Sequence, residues 1–137
     1  MKIFVCASRH LYDKIRSHVD ELKRVGHEIT PPNCYDDPGC GARMKETLTP
    51  DKYSEWKASM LDKQIEKVTM NEAVLVFNCE KNGQENYIGG ATFLEIFKAW
   101  ELKKKIFLWN PIPEGMLYDE LIGMKPTVVN RDLNKIV

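Results

Sequence analysis

The chain opens on a short unbroken apolar run, Ile3-Phe4-Val5-Cys6, the pattern of a strand covered on both faces. Leu11, Ile15, Val19, Leu22 and Val25 then recur at helical spacing, and Gly26 suits the position just past a helix end. His27 to Thr30 reads as a second strand, stopped by Pro31-Pro32. Asn33 to Pro50 carries Pro38, Gly39 and Gly41 with no clear period, so a long loop is predicted there. Loops of that length in a compact domain are functional or disordered.

Asp51 to Met70 is the longest helical pattern, with Pro50-Asp51 at its start. At about 100° per residue, Tyr53, Trp56, Met60, Leu61, Ile65 and Val68 share half of the wheel, with Gln64 inside that arc and Asp62 opposite it. Ala73 to Phe77 is a central strand, Asn78 to Gly90 a polar loop, and Ala91 to Lys103 a helix. A strand over Ile106–Trp109, a turn over Asn110–Pro113, a short helix over Glu114–Met124 and a strand over Thr127–Val129 complete the chain. Strands alternating with helices predict parallel pairing with right-handed crossovers. The expected architecture is one α/β domain over 1–137, a doubly wound five-stranded parallel sheet in flavodoxin-like order 2-1-3-4-5, with helices on both faces.

Composition narrows the partners. With 20 basic and 20 acidic residues the net charge is zero, so no global field draws the chain to a nucleic-acid polymer or an anionic membrane. No stretch approaches the roughly 20 apolar residues of a membrane span. The opening segment, broken by Arg9 and His10, does not read as a leader, and a soluble cytoplasmic protein is expected. The four cysteines form no CxxC pair and have no histidine at ligand spacing, so no metal and no cofactor are predicted. Cys6 and Cys79 fall on or beside strands and are expected as buried free thiols. Cys34 and Cys40 share the long loop and can pair under oxidation, although a reducing compartment favours the thiols.

Open parallel sheets bind ligands beyond the carboxyl ends of their strands. Those ends deliver Ser8 and Arg9 after the first strand, Asn78 after the third and Asn110 after the fourth. Gly89-Gly90 leads into the helix that carries Glu95, where glycine permits close backbone approach and a helix start offers unpaired amides to an anion. Glu95 has two readings. Thr92-Phe-Leu-Glu95 fits a capping box, which would make Glu95 a helix stabiliser. Alternatively it is a carboxylate at the ligand edge, able to attack an anomeric carbon or stabilise an oxocarbenium-like state.

Other polar residues also divide. Arg9 and His10 grip a phosphate or form a solvated loop pair, and Asn82 and Asn86 read a ligand or form turns. Tyr87 covers the site or packs. Trp56, Trp100 and Trp109 are assigned to the core, His18 and His27 to the surface or a strand edge, and Lys103-Lys104-Lys105 to a solvated helix end.

The stretches NEAVLVFN (71–78), NYIGGATFLEIFKAW (86–100) and KKIFLWNPIP (104–113) resemble the nucleoside 2-deoxyribosyltransferase-like superfamily, which includes the deoxynucleoside monophosphate N-glycosidases. The resemblance runs from KIFVCAS to VVNRDL. It implies that Glu95 is a nucleophile toward C1′ of a deoxyribose, that Ser8 lines the sugar or phosphate pocket, and that Asp119 completes the site of a neighbouring subunit in a homodimer or higher homo-oligomer. Arg9, Asn78, Tyr87, Gly89, Gly90, Thr92 and Asn110 are the further substrate-binding candidates. Catalytic members carry an aspartate where, counting back from Glu72, this chain has Gln64. An amide binds a hydroxyl or a base but is no general acid near neutral pH. Three readings therefore stand: hydrolysis or transfer at the N-glycosidic bond of a deoxynucleoside or its 5′-monophosphate, a non-catalytic module that binds a nucleoside or nucleotide, and a purely structural flavodoxin-like shell.

Overall fold

The computed structural model describes residues 1–137. Five parallel strands form one sheet: β1 (Lys2–Cys6), β2 (Glu28–Thr30), β3 (Ala73–Val76), β4 (Lys105–Leu108) and β5 (Thr127–Val128), in the order β2-β1-β3-β4-β5. The predicted doubly wound order is the observed one. Single ladder bonds carry β3 and β4 one residue past their ends, from the Phe77 amide to Cys6 and from the Trp109 amide to Val76, both at 2.9 Å.

Alternate residues of each strand enter two cores, as the pleat requires. Ile3, Val5, Leu75, Phe77 and Phe107 face one side, where helix α1 (Tyr12–Arg24) covers them with Ile15, Val19 and Leu22. Phe4, Cys6, Val74, Val76, Ile106 and Leu108 face the other. There α3 (Pro50–Met70) contributes Val68, α4 (Gly90–Glu101) contributes Ile96 and Ala99, and α5 (Tyr118–Met124) contributes Leu121.

Several boundaries differ from the sequence expectation for identifiable reasons. The first helix begins with a 3-10 turn over Arg9–Leu11, and Val25 lies outside the buried stripe as an exposed end residue. Gly26 takes a φ of +102°, the conformation that makes glycine the natural stop there. Residues 33–50 are not wholly loop, because α2 (Cys40–Thr47) forms within them. Only Cys40 of α2 is buried, so the segment has no apolar stripe to announce a helix. The bond between Cys34 and Cys40 is formed, against the expectation of free thiols, with the two Cα atoms 6.2 Å apart. The short helix after β4 begins at Tyr118 rather than Glu114. Of the three tryptophans assigned to the core, only Trp109 is buried; Trp100 is exposed on α4 and Trp56 is half-buried on α3. No helix is long and apolar enough to cross a membrane.

Candidate functional site

The length of α3 builds the site. Its 21 residues span roughly 30 Å at about 1.5 Å each, twice the ~15 Å of a short strand. Its last turn leads directly into β3, so its first half overhangs the carboxyl edge of the sheet. Thr49 caps the overhanging end by accepting from the Lys52 amide at 3.4 Å, and Pro50 occupies the first turn. Val68 enters the core, whereas Tyr53, Trp56, Met60 and Gln64, on the same inward arc, do not. They line a cavity of about 500 Å³ instead.

The opposite wall comes from the turn after β1, with Ala7, Ser8, Arg9 and Tyr12, and from the start of α4, with Gly89, Gly90, Ala91, Thr92 and Glu95. Loop 31–39 and α2 add Asn33, Cys34, Pro38, Gly41, Ala42 and Lys45, and Tyr87 closes one side. Of the predicted site residues, Ser8, Arg9, Gln64, Tyr87, Gly89, Gly90, Thr92 and Glu95 are brought together.

Glu95 is 6% exposed. Gln64 Nε2 donates to its Oε1 at 2.5 Å, and the Cys6 thiol of β1 stands beside it. Burial pushes the carboxyl above its ordinary value, against the opposing hydrogen bonds from Cys6 and Gln64 and the positive charge of Lys67. The same carboxylate, after burial itself, helps hold the Cys6 thiol in its neutral form. Tyr12 donates its hydroxyl to the Asn33 carbonyl at 3.0 Å, and burial keeps that hydroxyl protonated well beyond neutral pH.

The capping-box reading of Glu95 is corrected by the helix start. Gly89, not Thr92, is the N-cap, and no side chain caps the helix. Thr92 and Glu95 therefore fall in the first and second turns, facing the cavity. The amides of the first turn have no intrahelical acceptor and are open to a ligand. Gly89 is constrained by contact, since a Cβ there would meet the Tyr87 hydroxyl at 3.3 Å; one on Gly90 would meet nothing.

Two expected ligand contacts belong to the scaffold. Asn78 and Asn110 do not line the cavity. Asn78 Nδ2 donates to the carbonyls of Asn110 and Pro111 at 3.0 and 2.9 Å, and its Oδ1 accepts from the Asn110 amide at 2.8 Å. Asn110 returns a bond from Nδ2 to the Asn78 carbonyl and accepts from Arg131 Nε, both at 3.0 Å. Both side chains are spent joining the ends of β3 and β4. Asp119 lies exposed on α5, outside the cavity of its own chain. Asn82 and Asn86 adopt φ of +50° and +55°, the turn-forming reading of those residues.

The sequence reading missed Tyr12, Asn33, Lys45, Trp56 and Lys57 as cavity residues. Trp56 shares an arc with Val68, so only the overhang separates a cavity wall from a core position. Glu95 is the single acid lining the cavity, against Arg9, Lys45 and Lys57. None of these three cations is held in an ion pair with an acidic side chain. No group of three or more His, Cys, Asp or Glu side chains is arranged to hold a metal ion.

No family model and no curated protein matches the sequence. Solved structures do match in fold. A 2-deoxyribosyltransferase from Bacillus psychrosaccharolyticus aligns over 85% of this chain and 77% of its own, with a TM-score of 0.57 and 14% identity. A CMP N-glycosidase from Clostridium botulinum aligns over 93% of this chain and 85% of its own, with a TM-score of 0.54 and 15% identity. The chain thus shares the fold of these two proteins.

Proposed function

We propose that the cavity cleaves the N-glycosidic bond of a deoxynucleoside or its 5′-monophosphate, by hydrolysis or by transfer, with Glu95 as nucleophile. The observation that carries this reading is the buried Glu95 carboxylate, fixed by the Gln64 amide at 2.5 Å inside a cavity otherwise lined by cations and neutral groups. In this reading Gln64 holds Oε1 and the carboxylate attacks C1′ through Oε2. The bond from C1′ to the base nitrogen breaks, its electron pair leaves with the base, and a glycosyl ester forms on Glu95. Water or an acceptor base then displaces the carboxylate. Tyr53, Trp56 and Tyr87 offer ring faces to a base, while Arg9, Lys45, Lys57 and the open amides of α4 suit a phosphate. The likeness to enzymes named for 2-deoxyribosyl transfer and for CMP N-glycoside cleavage supports the reaction type.

In this proposal Asp119 acts from a second copy of the chain in a homodimer or higher homo-oligomer, because it is exposed and outside its own cavity. One observation favours the non-catalytic alternative. Gln64 cannot release a proton, and the Tyr12 hydroxyl is held protonated and engaged on Asn33, so neither protonates a departing base readily. A panel of deoxynucleosides and their monophosphates, scored for melting shift and released base, separates the two functions. Catalysis gives both signals; a binding module gives the shift alone.

A further inference from the structure

We propose that the Cys34–Cys40 disulfide is a thiol-operated latch that holds α2 as one wall of the cavity. The two cysteines lie on stretches of unequal attachment. Loop residues 33–36 are tied to the body: Asn33 Nδ2 donates to the Met60 carbonyl at 3.0 Å and its own carbonyl accepts from Tyr12. Arg16 donates to the Tyr35 carbonyl at 2.8 Å while its guanidinium lies 4.3 Å over the Tyr35 ring. Helix α2 is held more lightly, by packing on α3 and by the backbone bonds from Asp37 N to the Cys34 carbonyl and from Cys40 N to the Asp37 carbonyl, both 3.0 Å. It is eight residues long, buries only Cys40, and has no side-chain N-cap. A helix that short is not stable by itself. Its Arg43 pairs with Asp37, which belongs to the same strap and ties nothing to the body. The disulfide is therefore the side-chain tie that joins α2 to the anchored stretch.

Gly41, Ala42 and Lys45 of α2 line the cavity, so releasing the helix removes that wall and one of the three cations. The chemistry is an exchange with a dithiol reductant. A thiolate of the dithiol attacks Sγ of Cys34, the less buried partner, and Cys40 leaves as a thiolate that takes up a proton. The second thiol of the reductant resolves the mixed disulfide, leaving two protein thiols and an oxidised dithiol. The latch stands on the attachment of α2 alone. Its effect on turnover rests on the glycosidic reading of the site.

Amide hydrogen exchange and limited trypsin digestion of the full chain, before and after dithiol treatment, test the proposal without any ligand. The expected result is exchange faster by about tenfold or more over residues 40–47 in the reduced protein, with the sheet, α1 and α4 unchanged. New cleavage after Arg43 and Lys45 should accompany it. A Cys34→Ser/Cys40→Ser double variant should match the reduced protein and ignore the dithiol. Equal exchange in both states overturns the latch, as does a dithiol response in the double variant. Loosening that spreads to the sheet, or failure of the variant to fold, also overturns it by making the bond a staple of the whole fold. Because exchange needs no turnover, a missing base-release activity leaves this test intact.

Discussion

A carboxylate moved from water into an apolar setting loses solvation, and Glu95 recovers only part of it from Gln64, Cys6 and the charge of Lys67. Its folded pKa is therefore raised, so the native state binds the Glu95 proton more tightly than the unfolded chain does. This contribution to stability is complete below the unfolded value and is lost as pH rises through the folded one. Thermal melts of wild type and Glu95→Gln across the acidic range should show it: the wild type loses stability relative to the variant as pH rises past the ordinary carboxylate range. Base release should follow the opposite course, rising with pH as the nucleophile ionises. Gln64→Leu removes the donor at 2.5 Å and should move that rising limb to higher pH, with turnover lowered by roughly tenfold or more at neutral pH. A pH–rate profile unchanged from wild type would contradict the role given to Gln64. Glu95 was readable as a candidate because a lone acid follows Gly-Gly at a strand-to-helix junction. Its choice between cap and nucleophile was not, since that depends on whether the helix begins at Gly89 or Thr92.

At the scale of elements, α3 does two jobs that one apolar arc in the sequence does not separate. Val68 packs on the sheet, while Tyr53, Trp56 and Met60 extend past it and face the cavity. Replacing the Thr49 cap with alanine should destabilise the chain by about 1 kcal/mol, measured by denaturant unfolding, with the overhanging end of α3 losing exchange protection first. Uniform loss of protection along α3 would count against an independently fraying overhang. The strands and their order were legible because unbroken apolar runs alternate with helical periods, which leaves few topologies. Helix α2 was not legible, because a helix pinned by one cysteine carries no periodic signal. The placement of Asn78 and Asn110 outside the cavity is not legible for a similar reason. The carboxyl end of a strand supplies ligand contacts and strand-end ties with the same residue types, and only the partners of each amide tell them apart.

Across the whole molecule, the sheet separates two apolar cores and leaves its carboxyl edge to a cavity whose charged lining is one acid and three cations. The proposed role of Asp119 requires a site built from two chains. Inactive Glu95→Gln and Asp119→Asn proteins, mixed and reassociated, should recover roughly a quarter of wild-type activity, because half of the dimers are mixed and each mixed dimer has one intact site. No recovery in a mixture shown to exchange subunits would return Asp119 to an ordinary surface position. The central claim, that Glu95 is the nucleophile, meets its most direct test in base release from a panel of deoxynucleoside monophosphates by wild type and Glu95→Gln. The expected result is release by the wild type, and a fall on the order of a thousandfold in the variant with its ligand-induced melting shift retained. Full activity in Glu95→Gln would contradict it.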